Sequence, residues 1–183
     1  MSRKLYKENI NQLLDAIDTL LEKKMILLGL ILIFTGIDIM SWLNRGKLNK
    51  DNTRKDFKIW VNCYLLPDSG INCDAEDLYA ARCAILHSYT TESALSRDGA
   101  AKKIFYAWGV APSNKLQKII DVSSESGKTI ILHVDQFNNA FKIAVKRFNL
   151  SLNKNQELSK LVSKRTDKFL AGIPNEVVEF YKI

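Results

Sequence analysis

A chain of 183 residues, 46% hydrophobic and 26% charged with only 8 Gly and 3 Pro, is long enough to bury a proper core. That composition excludes disordered, collagen-like and low-complexity classes. The excess of 27 Lys and Arg over 20 Asp and Glu gives a net charge of +7, which favours a polyanionic partner such as nucleic acid without demanding one.

The first helix is predicted over Lys7–Leu21, where Leu13, Leu14, Ile17, Leu20 and Leu21 form an apolar stripe at helical spacing. Met25–Leu43 follows as the most hydrophobic stretch of the chain. Its charge-free run ends at Asp38, short of the roughly 20 apolar residues a membrane span needs. Asp38 would cost several kcal/mol at membrane depth without a partner. The charged and polar residues that precede the run, with no small-residue cleavage site after it, read against a signal peptide. The expected role is the central helix of a bundle, apolar all round because its neighbours cover it, and no membrane span is expected. A single membrane anchor is the competing reading.

Asn44–Asp56 is polar and breaks the pattern with Gly46. Helical periodicity resumes over Thr53–Leu65 through Phe57, Trp60, Val61 and Tyr64, until Pro67 and Gly70 stop it. Asn72–Asp77 then offers N-cap candidates and three acidic side chains for the start of a helix predicted over Asp74–Ser88. Thr90–Gly99 reads as a loop. Lys102–Trp108 and Thr129–Val134, rich in β-branched and aromatic residues, are predicted strands joined by a segment containing Gly109, Pro112 and Gly127. A helix capped by Asp135 is expected over Asp135–Leu150, and a last one over Gln156–Leu170, closed by Gly172 and Pro174. The sum is one mainly α (α+β) domain: a helical core over 1–95, a loop and β-hairpin over 96–135, and C-terminal helices over 136–183.

Few residues point to chemistry. Cys63, Cys73 and Cys83, ten residues apart, fit neither a disulfide framework nor a zinc site, whose ligands come in close pairs. They imply reduced thiols in a cytoplasmic protein, and no metal or cofactor is implied. Ser126-Gly127-Lys128-Thr129 is not a phosphate loop, because Val122 stands where its first glycine belongs and a strand follows where a helix should. His133 lies in an apolar strand and reads as structural. The run Lys142–Lys168 carries eight basic and two acidic residues; it is either a pair of solvated helix faces or a phosphate-contacting surface.

The sextet Arg82-Cys83-Ala84-Ile85-Leu86-His87 joins an always-charged phosphate clamp to a side chain that exchanges protons near neutral pH. On an ideal helix residues five apart are separated by about 140°, so convergence is expected to need either unwinding near His87 or two copies facing each other. The bland alternative is a snorkelling arginine and a histidine favoured by the C-terminal dipole. Asp38, inside an apolar helix, needs a buried partner, and Arg82 is the obvious one.

The Arg-x4-His spacing of Arg82 and His87 resembles that of HEPN domains, helical bundles whose last major helix carries such a motif. Many catalytic members place Asn, Asp or His after the arginine, where this chain has Cys83. The segments Gly36-Ile37-Asp38, Phe57–Val61, Tyr64–Pro67 and Asp77–His87 are also similar to a family of bacterial proteins of uncharacterised function. The HEPN resemblance implies a bundle acting as a homodimer, with metal-independent RNA cleavage at the dimer interface. In that scheme Arg82 and His87 are catalytic, and Asp38, Tyr79 and Cys83 are supporting. The alternative is a non-catalytic helical interaction domain in which Arg82 is structural.

Overall fold

Apolar residues at helical spacing organise the chain from its first turns. The structure, a computed structural model, describes residues 2–46, 51–110 and 112–167. The first helix, α1 (Ser2–Glu22), starts one turn earlier than its apolar stripe predicts, and buries Tyr6, Ile10 and Ile17. Next comes α2 (Ile26–Asn44), in which Ile33, Phe34, Ile37, Met40 and Leu43 have no accessible surface. It is a helix long and apolar enough to cross a membrane, yet half of its most apolar stretch is buried within the fold. Its place is that of a core helix, packed by α1 and by the elements that follow.

Two glycines make that packing possible. A Cβ added at Gly36 would lie 2.4 Å from Phe141 Cζ and 3.1 Å from Leu13 Cδ2, so the absent side chain admits an aromatic ring against the backbone. At Gly29 the approaching group is Leu21.

A capping box between Thr53 and Asp56 opens α3 (Arg54–Trp60), which widens into a π-helical turn over Val61–Leu65. Phe57, Trp60, Val61 and Leu65 are buried from this stretch. After the Pro67–Gly70 turn comes α4 (Ala75–Ser88), the helix predicted over Asp74–Ser88, with Asp74 as its N-cap. The region Thr90–Gly99, expected to be a loop, contains a single-turn helix, α5 (Ala94–Arg97), held by a Ser93–Ser96 capping box.

The expected hairpin is not one. Strands β1 (Lys103–Ala107) and β2 (Thr129–His133) run parallel, with Lys103 opposite Thr129 and Ala107 opposite His133. A parallel pair needs a crossover of a dozen or more residues, and the intervening segment supplies it as α6 (Ser113–Asp121). Gln117 on α6 closes the outer edge of β2: its Oε1 accepts from Ile131 N–H at 2.7 Å and its Nε2 donates to Thr129 C=O at 3.3 Å.

From β2 the chain passes directly into α7 (Val134–Lys154), which begins one residue earlier and ends four later than predicted. Asp135 does not cap it. His133 occupies the N-cap position with no side-chain cap bond, and Asp135 sits in the first turn, where a carboxylate still complements the dipole. Phe137, Phe141 and Phe148 carry α7 into the core. Asn155 caps α8 (Gln156–Thr166), which packs on α1, α2 and α7; Gly172 and Pro174, the predicted stop, lie outside the described residues. The result is a mainly helical α+β fold with a small two-stranded sheet.

Candidate active site

The helix that carries the sextet is fixed at both ends. Asp74 Oδ1 accepts from the N–H groups of Glu76 and Asp77 at 2.7 and 2.8 Å, and Asp77 Oδ2 accepts from Asp74 N–H at 3.1 Å. The second Asp77 oxygen accepts from Lys102 N–H at 2.6 Å, tying the entrance of β1 to the start of α4. At the other end Tyr89 adopts the left-handed conformation (φ 54°), and Thr90 N–H reaches back to Ala84 C=O. The last turn therefore stays helical through His87.

Arg82 lies against Asp38 of α2. Its Nε and Nη2 both donate to Asp38 Oδ2, at 2.9 and 2.7 Å. Both side chains are about a quarter exposed or less, at 22% and 23%. Burial pushes the Asp38 carboxyl above its ordinary range, against the pull of Arg82; burial acts the other way on the guanidinium, whose bonds to Asp38 nevertheless keep it above its usual value. Asn52 donates to the Asp38 backbone carbonyl at 3.1 Å, which adds the segment before α3 to the same spot.

The third Arg82 nitrogen, Nη1, lies 3.3 Å from His87 Nε2. The expectation that an unwound helix or a second copy is needed to bring the two together is thus corrected. The Cα atoms are separated by about 140° around the axis, whereas helical side chains lean toward the N-terminus and the arginine arm is long enough to close the gap. A guanidinium can only donate, so this contact uses His87 Nε2 as a lone-pair acceptor, with the ring proton on Nδ1. His87 itself is exposed.

Tyr79 stands one turn before Cys83, and burial, then the Cys83 neighbour, raises the Tyr79 phenol above its usual value. Phe57 meets the Tyr79 ring edge-on at 5.4 Å and the Arg54 guanidinium covers it at 5.5 Å. After Asp38, Cys83 also helps to hold the Arg82 guanidinium up, so the cysteine after the arginine belongs to the same electrostatic cluster. Beyond Tyr79 lies an ionic group that sequence reading missed: Glu76 receives Arg54 and, at 2.7 Å, Lys58. The signal was present, since Glu76, Tyr79 and Cys83 fall on one helical face and Arg54 and Lys58 stand four apart.

The other candidates fall elsewhere. His133 Nε2 donates to Gly109 C=O at 3.0 Å, a structural tie. Of the basic run, Lys142 pairs with Asp18, Arg147 holds the Pro67 carbonyl and Asp68, and Arg165 is buried; these three serve the fold. All three cysteines are free thiols. Among the described residues no three His, Cys, Asp or Glu side chains gather in a set able to hold a metal ion.

Fold and site together define a mainly helical domain with an Asp–Arg–His cluster open to solvent on one side. Comparison with protein-family models, with curated proteins and with solved structures finds no match to this chain.

Proposed function

We propose that the Asp38–Arg82–His87 cluster cleaves the RNA backbone without a metal, in a HEPN-like cytoplasmic protein that works as a homodimer. The observation that carries this reading is the division of labour around Arg82: one edge is clamped by Asp38 while Nη1 meets the exposed His87 at 3.3 Å. A clamped guanidinium is a pre-oriented donor for a phosphate whose charge grows in the transition state. His87 Nε2, whose lone pair Arg82 Nη1 holds at 3.3 Å, becomes a base for the ribose 2′-hydroxyl once a bound phosphate draws Nη1 to itself. His87 takes that proton, the 2′-oxygen bonds to phosphorus, and the bond to the 5′-oxygen breaks. The leaving oxygen takes a proton from solvent or from the equivalent histidine of a second copy. The products are a 2′,3′-cyclic phosphate and a 5′-hydroxyl.

The test is cleavage of end-labelled RNA by the full chain, in chelator, beside His87→Ala and Arg82→Lys. Loss of a general base is expected to slow cleavage by about 10²–10⁴-fold with an unchanged melting temperature, because His87 is exposed. Equal cleavage by all three proteins removes the cluster from the mechanism.

A second reading rests on the same bond. Two Arg82 donors spent on one Asp38 oxygen also suit a non-catalytic interaction domain with a structural arginine. Under that reading His87→Ala changes neither stability nor any RNA-directed activity.

A further inference from the structure

The C-terminal end of α2 holds a second arginine cluster, away from Asp38. A buried charge is tolerated when its donors are satisfied. Arg165, 8% exposed, meets this condition: its Nη1 donates to Leu43 C=O at 2.6 Å and its Nη2 to Gly46 C=O at 3.2 Å. These acceptors lie at the end of α2, where the helix dipole favours a cation.

Arg45 does not meet it. It is equally buried at 8%, and among the described residues its buried Nε and Nη1 have no hydrogen-bond acceptor. The two guanidiniums share one aromatic platform, at 5.8 Å (Arg45) and 5.9 Å (Arg165) from the Trp42 ring centroid. They also feel each other: burial first, then the Arg45 charge, depresses the Arg165 guanidinium, with Asp56 opposing. Asp56 is already engaged, its Oδ2 accepting from Thr53 N–H and Oγ1 at 3.0 and 2.7 Å. Among the described residues Asp56 is thus the carboxylate that acts on Arg165, and of the two guanidiniums only Arg45 keeps orphaned donors.

We propose that Arg45 and Arg165, over the Trp42 ring, form a binding site for a phosphate group. An oxyanion supplies the acceptors Arg45 lacks and neutralises the repulsion between the guanidiniums. Arg45 follows Asp38 by seven residues, about 10 Å along α2, so this is a separate locus and the assignment does not depend on the nuclease reading.

The test is titration of inorganic phosphate into the full chain at constant ionic strength, read by melting temperature and by ³¹P line broadening, with chloride as control. Wild type is expected to respond to phosphate beyond chloride. Arg45→Met and Arg45→Gln are expected to bind at least about tenfold more weakly, the loss of one charge-assisted bond. Without phosphate, Arg45→Met should melt no lower than wild type, since it removes an unpaired buried cation. The Arg45-dependent share must persist in an Arg82→Gln background, which separates it from phosphate held at the candidate active site. Competition by a five-nucleotide oligouridylate assigns the phosphate to a nucleic-acid backbone; no competition assigns it to a free anion. A wild-type response no larger than that to chloride, or an equal response in wild type and both Arg45 variants, overturns the assignment.

Discussion

Removing Arg82 alone should hurt the fold more than removing Arg82 and Asp38 together. Two donors on one carboxylate oxygen, at 2.7 and 2.9 Å, represent a gross attraction of about 4 kcal/mol at the effective dielectric of a near-surface pair. Desolvation opposes it, and the upward displacement of the Asp38 carboxyl, driven by burial, shows desolvation outweighing the attraction at that group. The intact pair is therefore close to neutral, within about 1 kcal/mol. Breaking one side leaves a carboxylate in a largely dry place, at a cost of about 2–3 kcal/mol. This is below the usual range for buried pairs, because 22–23% of each side chain meets water. Arg82→Met should thus lose about 2–3 kcal/mol in urea denaturation, or about 4–12 °C for a chain of this size. Asp38→Leu with Arg82→Met should return to within about 1 kcal/mol of wild type. The Arg82→Met deficit should also depend on pH. A carboxyl whose folded pKa lies above its unfolded value loses stability as pH rises through the folded value. The deficit should therefore be largest near neutrality and shrink toward the ordinary Asp range. Additive losses in the double variant, or a deficit constant between pH 4 and 7, would refute the reasoning.

Two further substitutions probe the packing and the ionic strip. Gly36→Ala drives a methyl to 2.4 Å from the fully buried Phe141 ring, and should lower stability by about 1–3 kcal/mol despite the gain in helix propensity; Gly29→Ala meets only the movable end of Leu21 and should lose much less, a ranking that thermal melts decide. Glu76→Gln should destabilise at neutral pH. Burial opposes ionisation of Glu76, but the bonds and charges of Lys58 and Arg54 hold its carboxyl below the ordinary range. Its contribution is then present above the unfolded value and lost as pH falls through the folded one, so wild type and variant melts should converge in acid.

Much of the helical half was legible because a 3.6-residue period and a burial demand are both written in residue types. The lone Asp38 in an apolar helix called for a partner, and Arg82 provides it. What failed was what a one-dimensional pattern does not carry. Strand composition says nothing of direction, so β1 and β2 read as a hairpin; the decisive sign was helical spacing in Leu116, Ile119 and Ile120 of α6, between punctuating Gly109 and Gly127. The Arg82–His87 contact was missed because angular bookkeeping at Cα ignores side-chain reach. The Ser93–Ser96 box was overlooked since serine at the fourth place of a capping box is uncommon. Nothing in the composition of Val61–Leu65 marks a π-helical turn.

The apolar character of α2 has a consequence for how the chain is made. Its covers arrive late: α7 and α8 begin only at Val134 and Gln156, far behind Asn44 at the end of α2. At about 5–20 residues per second, synthesis leaves this helix without them for several seconds after it leaves the ribosome. During that interval a 19-residue stretch as apolar as a membrane span is clothed only by α1, α3 and α4. The length of α2 that its late covers bury is thus the part of the fold that forms last.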